Sequence, residues 1–253
     1  MGSIKSRLFN LTAASAILLS STAFAMTAHA QDISNITKEQ LEEIIHNYLM
    51  ENPEVMIRSL DAYYQEQEKL AEAESAKTLE GLLPAIKESD EYPVAGNPEG
   101  KVTMVEFFDY NCGYCKRVLP QVNNIIEDDE DVRVLFIELP ILSPTSVIAA
   151  KAALAADMQG KYMDFHVAMM SARGGITEKR VFQVADSVGL DVDKLKVDME
   201  SEEVTGKISR NRQVAQMLNL SGTPAFIIGD EIVRGAIGED AMRGLVEKAK
   251  EES

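Results

Sequence analysis

The sequence predicts a mixed α/β domain carried behind a helical appendage, on three observations. Two β-branched and aromatic runs, KVTMVEFFDY (101–110) and DVRVLFIEL (131–139), flank a helix-like stretch, the pattern of a parallel βαβ unit. A block of helices follows, then PAFIIG, a Gly229-Asp230 turn and EIVRGAIG, which read as a hairpin before a last helix from about Glu239. Ahead of all this, Leu41, Ile44, Ile45, Tyr48 and Leu49 recur at helical spacing and make one apolar stripe.

The first thirty residues read as a signal peptide. Lys5 and Arg7 open a start without acids, a short apolar run follows, and Ala28-His29-Ala30 offers a cleavage site, with Ala23-Phe24-Ala25 as a second. Asn10, Thr12 and several serines interrupt the run, whereas a membrane span wants about 18 unbroken apolar residues. The mature protein is thus expected to be exported.

Thr37 and Gln40 then form a capping box at the start of a helix, with Ile36 and Leu41 at the staple positions. Asn52-Pro53 ends that helix and opens a second one bearing Met56, Leu60, Tyr63 and Tyr64. Beyond Tyr64 the text QEQEKLAEAESAKTLEG is helix-forming but nearly without an apolar face, which reads as a linker. Two short helices cannot bury their stripes alone, so residues 37–64 are expected to self-associate. The turn-rich YPVAGNPEGK marks the boundary of the main domain. The helix after the first strand is expected to bend or end near Pro120. Three helices are legible in the block over 145–218: SVIAAKAALAADM, the region of TEKRVFQVADSVG, and the stretch ending in NRQVAQMLNL. The resulting division is 1–30 signal, 31–68 helical oligomerisation unit, 69–92 helical linker and 93–253 main domain.

Charge excludes some partners. The chain carries 25 basic and 41 acidic residues, a formal net charge of −16, and without residues 1–30 the balance is −18. No net positive field exists to neutralise phosphates, which argues against nucleic acid and anionic membranes.

The two cysteines, Cys112 and Cys115, sit three apart in EFFDYNCGYCKRVLP. A zinc site needs four ligands, and only His46 and His166 remain in the mature chain, without finger-like spacing. An iron–sulfur cluster needs more thiolates, and haem attachment needs His where Lys116 stands. A bridge closing so small a ring would restrict the unfolded chain little. The twelve methionines, Met169-Met170 included, fall mostly at core spacing and read as packing, as does His166 beside Phe165. No metal site and no cofactor are expected.

What remains is a redox pair. Cys112 follows a strand and precedes Gly113, so it should stand at a helix N-terminus, where free amides pull a thiol to roughly 3.5–7.5. Cys112 is expected as the exposed attacking thiol and Cys115, one turn in, as the buried resolving thiol. Glu106 shares its strand face with Val102, Met104 and Phe108, so its carboxyl should be buried and placed to take the proton that Cys115 gives up. Tyr114 is expected to be exposed and to contact substrate.

Strand, CGYC, Pro120 and SGTPAFIIG before a hairpin together resemble the thioredoxin superfamily, and the intervening helices resemble its DsbA-like branch. That resemblance implies a thioredoxin fold with a helical insertion. It implies a cis bond at Thr223-Pro224, 109 residues after Cys115, with Thr223 backbone groups pairing with substrate in strand fashion. It also implies a Cys112–Cys115 disulfide as the oxidised state, with Glu106 as the family's buried acid. Residues LEEIIHNYLMENPEVMIRSLDAYYQ resemble the N-terminal region of ScsC proteins, some of which are trimers, so a homo-oligomer, a trimer for preference, is implied. Gly113-Tyr114 supplies no charge between the cysteines and resembles the disulfide isomerases more than the strongest oxidases.

The expected function is a periplasmic thiol–disulfide oxidoreductase that isomerises or forms disulfides. Its partners would be unfolded or misoxidised exported proteins and a membrane redox partner that resets the pair. A monomeric dithiol oxidase, and a copper(I)-binding chaperone using the same thiolates, stand as alternatives.

Overall fold

The computed structural model describes residues 36–252; the expected signal peptide lies outside them. The chain divides into two units between Ser59 and Leu60. In the first, α1 (Lys38–Glu51) starts at the capping box read from sequence. Thr37 Oγ1 accepts the Gln40 amide at 3.3 Å and Gln40 Oε1 accepts the Thr37 amide at 3.1 Å. The stripe of α1 is unburied: Leu41, Ile44, Ile45 and Tyr48 are all about half exposed. Asn52 closes the helix, its amide and its Nδ2 both donating to Tyr48 O.

Helix α2 (Glu54–Glu88) is one element of 35 residues, and its second half is packed rather than a bare linker. Leu79 and Ile86 are buried with Val105, Phe107, Leu135, Ile137 and Ile227, and Leu82 and Leu83 pack beside them. Those four leucine and isoleucine positions follow i, i+3, i+4, i+7, an apolar stripe that begins where the polar text ends. Arg234 Nη2 reaches Ser75 Oγ at 3.0 Å and ties the hairpin to this helix.

The sheet has the order β1-β3-β2-β4-β5. Strand β1 (Val94–Gly96) lies in the stretch read as a turn-rich boundary; at three residues between Pro93 and Asn97 it is too short to carry a period. It pairs antiparallel with β3 (Val132–Glu138), which runs parallel to β2 (Val102–Phe108) as the βαβ pattern requires. The connecting helix α3 (Gly113–Asp128) runs on through Pro120 instead of ending there. Val118, Leu119, Val122 and Ile125 are buried along it, and their burial outweighs the one backbone bond that proline removes.

The helical insertion contains five helices: α4 (Pro144–Asp157), α5 (Tyr162–Ser171), α6 (Glu178–Ser187), α7 (Val192–Asp198) and α8 (Glu202–Met217). Helices α5 and α7 had no separate signal in the sequence; both are short, and α5 is apolar without a clear polar face. Strands β4 (Ala225–Ile228) and β5 (Glu231–Arg234) form the hairpin, and α9 (Glu239–Glu252) closes the fold. Gly229 takes φ +64 in the turn, and a Cβ there would stand 2.7 Å from Ala249 Cβ, so the turn requires glycine. This is the thioredoxin fold with a helical insertion.

Strand alternation splits the core in two. Val105, Phe107, Leu135 and Ile137 face α2, while Met104, Phe108, Val134 and Phe136 face α3 and the insertion. Glu106 lies on the second face, between Met104 and Phe108.

Candidate active site

The site forms where β2 hands over to α3. Residues 109–112 leave the strand, and the Cys112 amide donates to Asp109 O at 2.9 Å, which turns the chain into the helix. Cys112 is the N-cap of α3, with extended backbone (φ −76, ψ 112). Its Sγ occupies the place that a serine or aspartate oxygen takes in an ordinary cap and accepts the Cys115 amide at 3.1 Å. Antiparallel pairing of β2 with β4 matches Phe107 with Ala225 and carries Thr223-Pro224, a cis peptide, to the same end of the sheet. Cys112 Sγ donates to Thr223 O at 3.2 Å. Cys112, Cys115, Thr223 and Pro224, read separately from the sequence, are thus brought together.

Both cysteines are free thiols. Cys112 is buried, 4% exposed, where an exposed thiol was expected, because the α3 amides and the Thr223 loop close over it. The Cys115 thiol, the Thr223 side chain (not its carbonyl) and the Cys115 and Tyr114 amides all favour its charged form and outweigh desolvation, pulling Cys112 down from 9.0 to about 6. Burial, and its bond to Cys112, push the Cys115 thiol far up. The two sulfurs are therefore unlike: one ionises near neutrality and the other holds its proton.

Glu106 is 1% exposed and sits on the α3 face of β2. Burial first, and the charge on Cys112 second, raise its carboxyl from 4.5 to about 8. Its Oε1 has no hydrogen-bond partner among the described residues. The charge on Glu106 in turn opposes ionisation of Cys115. A carboxyl near 8 accepts a proton from a buried thiol far better than an ordinary carboxylate would. Gly113 and Tyr114 are exposed, and the Arg117 guanidinium lies over the Tyr114 ring at 4.1 Å from its centroid.

Sequence reasoning missed a polar brace beneath the site. Asp109 accepts the Asn111 amide on Oδ1 (2.7 Å) and the Ile141 and Leu142 amides on Oδ2 (2.9 Å each). Asn111 Nδ2 lies within 3.1 Å of the hydroxyls of Ser143, Thr145 and Ser146 at the start of α4. Two polar residues placed directly after a wholly apolar strand end were the available signal. A second cluster joins Glu138, Tyr110, Tyr162 and His166. Glu138 Oε1 accepts both tyrosine hydroxyls at 3.0 Å, and Tyr110 Oη lies 3.2 Å from His166 Nδ1. Desolvation holds His166 near 3 and hence neutral, a core residue and not a charged one. Among the described residues no group of three or more His, Cys, Asp or Glu is arranged to hold a metal ion.

Comparison with known proteins places this geometry. Residues 103–247 match the family described as DSBA-like thioredoxin domain, and residues 38–69 match the Copper resistance protein ScsC N-terminal domain. A thioredoxin-like oxidoreductase from Silicibacter pomeroyi is 43% identical, with a TM-score of 0.65 over 66% of this chain and 96% of its own. The thiol-disulfide exchange protein alpha-DsbA2 from Wolbachia pipientis is 29% identical, with a TM-score of 0.66 over 72% of this chain and 97% of its own. The Na(+)/H(+) antiporter NhaA 3 of Salinispora tropica is 28% identical over 189 residues, 72% of this chain. The chain spans only 29% of the length of that antiporter.

Proposed function

The chain belongs to the family of DSBA-like thioredoxin domains, a family of thiol–disulfide oxidoreductases, and on that premise we propose that it is an exported, self-associating disulfide isomerase. The observation that carries the reading is the Cys112 sulfur, held between the Cys115 amide and the Thr223 carbonyl and ionising near neutrality.

Cys112 thiolate attacks a client disulfide. One S–S bond forms between Cys112 and a client cysteine while the old one breaks, and the other client sulfur leaves as thiolate. That thiolate attacks elsewhere in the client and finally displaces Cys112, so no net electrons move. When a client stalls, Cys115 gives its proton to Glu106 and attacks Cys112, releasing a client reduced by two electrons. The resulting Cys112–Cys115 disulfide regains two electrons either by oxidising another client dithiol, which leaves with a new disulfide, or from a membrane partner that reduces it. Thr223 and Pro224, with Gly113 and Tyr114, form the surface along which the client chain lies.

Two features favour isomerase over oxidase. Gly113-Tyr114 places no charge between the cysteines, so the thiolate is held chiefly by hydrogen bonds. The exposed apolar stripe of α1 suits packing against copies of itself, and residues 37–64 serve as that oligomerisation unit, a trimer by the ScsC likeness. Several sites facing one client are what reshuffling uses. On this reading the protein works in the periplasm, delivered by the signal at 1–30, on misoxidised exported proteins.

The test is reactivation of a scrambled-disulfide protein by the mature chain and by an Ile44→Glu, Tyr48→Glu variant. Both positions are exposed in the single chain, so the change strikes association and not the fold. Reactivation by the first and not by the second supports an oligomeric isomerase. If neither reshuffles disulfides while both oxidise a reduced client, the protein is a dithiol oxidase. Tight copper(I) binding without any disulfide exchange would make it a metal chaperone.

A further inference from the structure

The formal charge of −16 hides one region of opposite sign. Lys116 follows Cys115 directly, and its amide donates to Cys112 O at 3.2 Å, so it stands one helical turn above the attacking sulfur. Its Nζ reaches Ala172 O at 3.2 Å, while Arg180 Nη1 of α6 reaches Arg173 O at 3.1 Å. Two cations from different helices thus converge on adjacent carbonyls of the α5–α6 loop. Arg173 itself is exposed in that loop, and Arg117 is exposed over the Tyr114 ring.

None of these four cations forms an ion pair among the described residues, whereas Lys151, Lys194, Arg210, Arg243, Lys248 and Lys250 each do. The neighbouring acid in the chain, Glu178, stands in the first turn of α6 and pairs with none of them. The first turn of α3 likewise holds no acid. Lys116 and Arg180 oppose each other's charge, and Cys112 thiolate favours that of Lys116. Unneutralised like charges held together are unfavourable by themselves, and they are relieved when an anion arrives.

Resting on the redox role of Cys112, we propose that Lys116, Arg117, Arg173 and Arg180 form an electropositive rim that docks acidic polypeptide segments flanking a client cysteine. A polypeptide is the occupant because a client cysteine exchanging with Cys112 brings its flanking residues beside Tyr114, Lys116 and Arg117, which follow Cys112 in the first turns of α3. Nucleic acid and anionic bilayers present charge over a wide face and meet the acidic remainder of the protein. A short acidic segment meets only the rim. At about 0.1 M salt the screening length is about 10 Å, so four local cations are felt and most of the distant acidic surface is not.

The test uses the reduced mature chain and three peptides of one length, each with a single cysteine paired to 2-thiopyridine and flanked by Glu, Gln or Lys. Attack by Cys112 forms the Cys112–peptide disulfide and releases thiopyridone, whose absorbance gives the rate. The Glu peptide is expected to react on the order of tenfold faster than the Gln peptide at 0.1 M salt, and the Lys peptide slower. The Glu advantage should fade by about 1 M salt, and an Arg117→Gln, Arg173→Gln variant should bring the Glu-to-Gln ratio towards one. Equal rates for the Glu and Gln peptides, or a ratio that salt and the variant leave unchanged, overturn the docking rim alone. Failure of all three peptides to release thiopyridone overturns the redox role, and the rim with it.

Discussion

Cys112 Sγ donates to the carbonyl oxygen of Thr223 at 3.2 Å, across 111 residues of chain. A thiol makes that bond and a thiolate cannot. Ionisation of Cys112 therefore frees the Thr223 carbonyl to accept from another donor, such as the backbone amide of a client lying as a strand. Activation of the nucleophile and opening of the substrate edge are one event.

The first prediction concerns that ionisation. Thiolate absorbance of the reduced protein should rise with a midpoint near pH 6, and Cys112→Ser should remove this step. The folded thiol is depressed from 9.0, so its contribution to stability is full above pH 9 and is lost as pH falls through about 6. The difference in urea midpoint between the reduced protein and Cys112→Ser should follow the same course between these limits, because the opposing titration of Glu106 is common to both. A midpoint at 8 or above would remove the proposed nucleophile.

Unlike sulfurs predict unlike variants. Cys112→Ala should abolish exchange altogether, while Cys115→Ala should keep the attack and lose the release. Mixed disulfides with client proteins should then accumulate and run as slower bands on a non-reducing gel. Activity surviving in Cys112→Ala would sink the assignment of roles.

How much of this was legible in the sequence follows from the range of the interactions. The capping box of Thr37 and Gln40, strand β2 and the Cys112–Cys115 spacing are local patterns, and each appears where it was read. The burial of Glu106 followed from its apolar neighbours two residues away. What failed was decided at a distance. Pro120 is a helix breaker by local rule, but Val122 and Ile125 beyond it are held by the core. Burial of Cys112 depends on Thr223, and the Asp109 brace depends on amides of Ile141 and Leu142. No local pattern contains those partners.

The packed end of α2 makes a third prediction. Leu79 is 1% exposed in the core that β2, β3 and β4 share with this helix. Leu79→Ala should destabilise the catalytic unit by about 2–4 kcal/mol, read from urea unfolding. Leu70→Ala, at an exposed position of the same helix outside residues 37–64, should change it by less than about 0.5 kcal/mol. Equal effects would mean that α2 ends as an unpacked linker. The result also bears on truncation, since a chain begun at Tyr92 would lack Leu79 and Ile86.

Glu106 carries the last prediction, in which stability and activity move in opposite directions. Its carboxyl ionises near 8 in the fold against 4.5 in the unfolded chain, because charge on a buried oxygen without a partner is unfavourable. The protonated form is therefore the stabilised one. That advantage is full below pH 4.5 and is lost as pH rises through about 8. Glu106→Gln keeps the shape and removes the titration, so the variant should be the more stable protein at pH 9, by a few kcal/mol at one to several pK units of relief. At pH 5 the two should melt alike. Release of mixed disulfides by Cys115 should meanwhile slow by about 10²–10⁴-fold in the variant, and its rate should lose the limb near pH 8. Thermal melts at the two pH values and single-turnover release measure both arms on one sample. A variant that releases client at the wild-type rate would leave Glu106 a buried acid without a proton to manage, and its instability at high pH without a function to explain it.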